Sequence, residues 1–128
     1  MSNEIDLLQR AGADLGTAKL ILESDLPDPL YLDIAAYHLQ QALEKIMKHI
    51  ININGKKFPF VHEIDVLYNT METYGLDPPA WIAEHEDTLT KYATVTRYTR
   101  NIVASRRKLT ELLPLVEDYL EQHRNPAS

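Results

Sequence analysis

Ala36-Tyr37-His38-Leu39-Gln40-Gln41-Ala42-Leu43-Glu44-Lys45-Ile46-Met47-Lys48 is the stretch whose reading decides the fold. Extended in both directions, it places Ala35, Leu39, Ala42, Ile46, Ile50 and Ile53 at steps of three and four residues. That spacing draws one apolar stripe down a helix, whereas a strand would alternate every second residue. Asp28-Pro29 supplies a start signal, an N-cap residue followed by the residue best tolerated in the first helical turn. Asn54-Gly55 supplies the stop, because both residues tolerate left-handed backbone. A long second helix is therefore expected from about residue 29 to 53.

Helical periodicity continues on either side. Leu8, Ala11, Leu15, Ala18 and Leu22 mark a first helix over roughly residues 3–23, in which Gly12 and Gly16 leave room for a neighbour to approach closely. Residues 56–61, with Pro59, form a connecting loop. A third helix, about 62–74, presents Ile64, Leu67, Tyr68 and Met71 and stops at Gly75. Asp77-Pro78 repeats the start signal for a fourth helix carrying Ile82, Leu89, Tyr92 and Ala93. After a break near residues 97–99, a last helix carries Ile102, Leu109, Leu113, Val116 and Leu120, with a kink expected at Pro114. The expected fold is all-α, a five-helix antiparallel up-and-down bundle with the first two helices as its spine and the last packed across them. Residues 1–123 make one domain and residues 124–128 a frayed tail.

The 128 residues suffice for one core without staples. There is no cysteine, which excludes disulfides, thiolate metal sites and a cysteine nucleophile. No apolar run approaches the roughly 20 residues of a membrane span, and the acidic N-terminus does not read as a secretory signal, so a cytoplasmic protein without a membrane partner is expected. Net charge is −6, yet its distribution is uneven. Residues 88–110 contain no acid and six bases: Lys91, Arg97, Arg100, Arg106, Arg107 and Lys108. The remaining seven bases face all nineteen acids, a net −12. Such an island reads either as a solvated face opposite acids elsewhere in the fold or as a site for an anion.

Three blocks carry a family resemblance: the Gln41-Ala42-Leu43-Glu44-Lys45 helix, His62-Glu63-Ile64-Asp65-Val66-Leu67, and Tyr92 followed by Arg97-Tyr98. In this order and spacing the chain resembles the HEPN domain (higher eukaryote and prokaryote nucleotide-binding) over nearly its whole length. The resemblance implies an antiparallel helical bundle that dimerises. It also implies frequent pairing with a minimal nucleotidyltransferase in toxin–antitoxin modules. Many HEPN members are metal-independent ribonucleases that use an arginine, roughly four to six intervening residues, and a histidine. Here Arg100 is followed at that spacing by Ser105, and no histidine stands at that distance from Arg97 or Arg100. Cleavage by attack of a ribose 2′-hydroxyl needs a base titrating near neutrality, which serine is not. Arginine still grips phosphate in a bidentate manner.

The candidate binding residues are Arg97, Tyr98, Arg100, Arg107, Lys108, Gln41, Glu44 and Lys45, with no catalytic residue, metal ligand or cofactor assigned. Tyr98 offers a ring for base stacking. Glu44 and Lys48 also fit an ordinary surface pair in the favourable order. His62, at a helix start, fits a capping or packing role. No Glu-x-x-His pair, His-Glu-x-x-His motif or glycine-rich phosphate loop is present. The seven tyrosines suit an interface with one wet side. The expected function is that of a homodimeric HEPN module binding a nucleotide, RNA or a nucleotidyltransferase partner. The alternatives are a ribonuclease toxin with an unconventional base and a purely structural interaction dimer.

Overall fold

The computed structural model describes residues 6–98 and 104–124, with side chains excluded for residues 94–98. Six helices follow one another among these residues: α1 Leu7–Glu23, α2 Leu30–Ile53, α3 Ile64–Thr73, α4 Ala80–Glu84, α5 Glu86–Tyr98 and α6 Arg106–Arg124. No strand occurs among them. The expected five become six because the fourth helix is divided at His85, whose φ of −116° leaves the helical range. Asp77 is not the cap of that helix. It adopts a left-handed φ of 51°, and the helix starts three residues later, at Ala80 behind Pro79.

Local chemistry sets the other boundaries. Asp6 accepts a hydrogen bond from the Gln9 backbone N–H at 3.0 Å, so α1 starts at Leu7. Asp28 accepts from the Leu30 N–H at 3.0 Å, and α2 opens at Leu30 with Pro29 in the N-cap position, one residue later than the sequence implied. Gly55 and Gly75, at φ of 75° and 72°, close α2 and α3. In both, the next N–H reaches back six residues inclusive: Lys56 to the Ile51 carbonyl and Leu76 to the Met71 carbonyl. Only a residue without a Cβ takes that turn cheaply. α5 runs to Tyr98 and α6 starts at Arg106, which leaves Thr99 of the expected break outside the described residues. Ile102 and residues 125–128 lie outside the described residues. Pro114 lies on the exposed side of α6, between the buried Leu113 and Val116.

α2 is the centre of the bundle. Thirteen of its 24 residues are buried, so it is covered on every side rather than along one stripe. It packs on α1, α3, α5 and α6. Leu39, Leu43, Ile46, Met47 and Ile51 are wholly enclosed, against Leu15 and Ala18 of α1, Leu67 of α3, Leu89 of α5 and Leu112 of α6 in one continuous core. α6 lies antiparallel along α1. Arg106 reaches the Leu22 carbonyl, Lys19 pairs with Glu117, and Arg124 closes over Gly12. A Cβ on Gly12 would come 2.7 Å from that guanidinium, which explains one of the two α1 glycines. Gly16 has open space beside it, so the close approach expected there does not occur. No helix among the described residues is long and apolar enough to cross a membrane.

Ile53 corrects the apolar stripe. It is 59% exposed at the last turn of α2, whereas Ile46 is fully buried. Ile46→Ala is expected to cost about 3 kcal/mol in urea unfolding. Ile53→Ala is expected to change stability by about 0.5 kcal/mol or less.

Candidate functional site

The bundle core contains polar groups along one side of α2. Gln40, Glu44 and Lys48, spaced four apart, are all buried. The Glu44–Lys48 pair at 2.9 Å is thus an internal ion pair, not the surface pair that its spacing also fits. His62, from the loop before α3, sets Nδ1 3.1 Å from Glu44 Oε2. Gln40 donates to the His62 carbonyl at 2.8 Å, and Gln41 donates to Gln40 Oε1 at 2.8 Å. Lys48 also sits 5.5 Å from the centre of the Phe58 ring, within cation–π range. A carboxylate out of water must be surrounded by donors, and here a lysine and an imidazole supply them. His62 does not cap α3, where Glu63 holds the N-cap position. It fastens the 56–63 loop to α2 instead. With Nδ1 engaged, Nε2 is the ring nitrogen left for a ligand on a side chain that is 62% exposed.

Lys45 belongs to a different contact. It pairs with Asp14 of α1, which also accepts from or faces His38 Nδ1 at 2.9 Å. The Gln41–Glu44–Lys45 block named from sequence is therefore divided: Gln41 and Glu44 join the His62 network, and Lys45 ties α2 to α1.

The basic stretch is divided as well. Arg106 is committed to the last turn of α1, donating to the Leu22 carbonyl at 2.6 Å, where a cation also suits the negative end of the helix dipole. Ser105, Arg107, Lys108 and Glu111 line an open hollow of about 550 Å³. Ser105 Oγ accepts from the Lys108 N–H at 3.1 Å and so caps α6. Lys108 Nζ lies 2.8 Å from Glu111 Oε2, and that contact lowers the Glu111 pKa. Arg107 is exposed. Among the described residues it has no carboxylate within ion-pair distance. Arg100 and the side chains of Arg97 and Tyr98 lie outside the described residues.

The same end of the molecule holds Asp33, a buried carboxylate that sequence reading missed. Its Oδ1 accepts from the Ala104 N–H at 2.9 Å and so holds the chain entering α6 against the start of α2. Nothing in a single acid flanked by Leu32 and Ile34 announces that role. Tyr92 stands nearby, its hydroxyl pKa pushed up to about 12 by burial first and then by Asp33 and Glu111. Asp33 and Glu44 are eleven residues apart on α2, or about 16 Å along the axis. The hollow at Ser105 and the His62 network therefore occupy separate stations along α2. No group of three metal-ligating side chains occurs among the described residues.

Residues 5–124 match the family described as HEPN domain. The chain belongs to that family. No curated protein and no solved structure matches it. Membership supports a nucleotide- or RNA-related helical module, and it covers all six helices of this HEPN domain.

Two measurements follow from the buried groups. Glu44→Ala leaves Lys48 buried without its partner and is expected to cost about 3 kcal/mol in chemical denaturation, whereas Glu44→Leu combined with Lys48→Met costs less than the single change. Folding raises the Tyr92 pKa, so the native state holds its proton where the unfolded chain loses it. Stability is then complete below pH 10 and falls as pH rises from 10 towards 12. Tyr92→Phe is expected to flatten that alkaline decline.

Proposed function

We propose that this HEPN protein is a homodimeric, non-catalytic module of toxin–antitoxin type. It binds the phosphates of a nucleotide or RNA through residues 97–108, alone or beside a minimal nucleotidyltransferase partner. The observation that carries this reading is the hollow lined by Ser105, Arg107, Lys108 and Glu111, where the exposed Arg107 follows a stretch without acids and Glu111 pairs with Lys108. An exposed guanidinium beside an open concavity suits a phosphate, which it can grip through two parallel N–H donors. Residues 97–100 add two further guanidinium groups and a stacking ring within the same segment.

Ser105 supports the non-catalytic half of the reading. It stands at the nuclease histidine spacing from Arg100, and its hydroxyl is occupied in capping α6. A capped serine neither titrates near neutral pH nor accepts a proton from a ribose hydroxyl.

Fluorescence anisotropy with short single-stranded RNA and with nucleotides tests the proposal. The native chain is expected to bind RNA with an affinity that falls steeply as salt rises. Arg97→Ala, Arg100→Ala and Arg107→Ala each weaken binding and reduce the salt slope by about 1. Equal, salt-insensitive behaviour of all four proteins contradicts the proposal. Incubation with RNA in chelator is expected to leave the RNA intact. Cleavage that vanishes in Arg100→Ala would instead establish a ribonuclease.

A further inference from the structure

An acid stands in the hollow that suits phosphate. Glu111 lines the same concavity as Ser105, Arg107 and Lys108, and its side chain is 52% exposed. The hydrogen bond and charge of Lys108, with lesser help from His85 and Arg107, hold its pKa below the ordinary value. It is ionised at neutral pH, and an ionised carboxylate accepts hydrogen bonds without donating any. Beside a phosphate such a group repels. It favours an anionic ligand only where that ligand carries a donor of its own.

Geometry limits which donor. Arg107 and Glu111 are four residues apart on α6, so they share a face one turn, about 5.4 Å, apart along the axis. Arg107 is not spent on that neighbour, since Glu111 turns Oε2 to Lys108 Nζ at 2.8 Å. Glu111 Oε1 has no hydrogen-bond partner among the described residues. Ser105 Oγ accepts from the Lys108 N–H and keeps its own proton to donate. A phosphate at the start of α6 thus meets a guanidinium and a hydroxyl, at the end of the helix whose dipole favours an anion. The group next to a phosphate along a nucleotide chain is the sugar, which one turn of helix brings level with Glu111. Ribose carries a 2′-hydroxyl, a donor as well as an acceptor, and deoxyribose does not. Base edges, where amino donors lie, stand beyond the sugar. The hollow of about 550 Å³ falls in the roughly 300–1,000 Å³ range of small-molecule sites, room for a phosphate and its sugar.

We infer that Glu111 selects ribose over deoxyribose in this hollow, its carboxylate accepting a hydrogen bond from the 2′-hydroxyl of a nucleotide whose phosphate lies against Arg107. The inference rests on the phosphate-binding reading of the same hollow and names the sugar that the hollow takes.

Fluorescence anisotropy at low salt tests it with three short oligomers of one base that has no amino group. These are oligouridylate, its 2′-deoxy form, and its 2′-O-methyl form, which keeps the oxygen and lacks the proton. The native chain is expected to bind the ribose oligomer about tenfold more tightly than the other two, the worth of one hydrogen bond to a charged group. Glu111→Ala removes the preference, so that all three bind alike. Glu111→Gln, whose amide oxygen still accepts, retains a preference of the same sign. Release of Lys108 in either variant raises the affinity for all three oligomers together, so the ratio between them is the readout. Circular dichroism verifies the fold, which substitution of a half-exposed side chain leaves intact. Equal binding of the three oligomers by the native chain overturns the role of Glu111 while the phosphate reading stands. A preference that the 2′-O-methyl oligomer shares, or one that survives Glu111→Ala in full, does the same. Failure of the native chain to bind any of the three overturns both.

Discussion

A carboxylate enclosed in a helical bundle survives only with donors around it, and Glu44 is such a group. Its position makes demands on three parts of the chain at once. Lys48 must follow one turn later on α2, His62 must arrive from the loop before α3, and Gln40 must hold the backbone of that loop. The consequence is a fixed register between α2 and the helix that follows it. Apolar packing alone tolerates small slides, whereas a buried ion pair with a defined third partner does not. α3 is short, and its entry loop carries Phe58 and Phe60, so this polar anchor decides which ring meets Lys48 and which ring faces water.

Asp33 has a parallel role about 16 Å away along α2. There a buried acid takes the backbone N–H of Ala104 and fixes the point at which the chain enters α6. The two acids on α2 thus define two stations. One holds α3 and its exposed aromatic. The other holds the start of α6, with Ser105, Arg107 and Lys108 around an open hollow. This arrangement holds the loop before α3 and the start of α6 at separate points along α2.

The helices themselves were legible because their signals are local. Asp28-Pro29, Gly55 and Gly75 act through the backbone of their own turns, and each lies at the boundary read from it. Signals that depend on a distant partner were not legible. The four-residue spacing of Glu44 and Lys48 describes a surface pair as well as a buried one, and only the arrival of His62 decides between them. Lys45 sits beside Glu44 in sequence yet turns to Asp14 on α1, since adjacent helical positions point about 100° apart. Ile53 shares the apolar period of α2 but lies beyond the reach of its neighbours. Asp77-Pro78 imitates a helix start, although the left-handed turn at Asp77 delays the helix to Ala80. For the basic island, composition located the stretch, but the diversion of Arg106 to Leu22 depends on where α1 ends in space.

The account therefore turns on whether phosphate is drawn to the start of α6. Amide chemical-shift mapping during titration with short single-stranded RNA addresses this most directly, because it reads position and binding together. The expected result is a set of shifts concentrated at Ser105, Arg107, Lys108 and Glu111 and in residues 97–103, with the core of α2 unmoved. Shifts confined to α1 or α3, or no shifts at low salt, would contradict it.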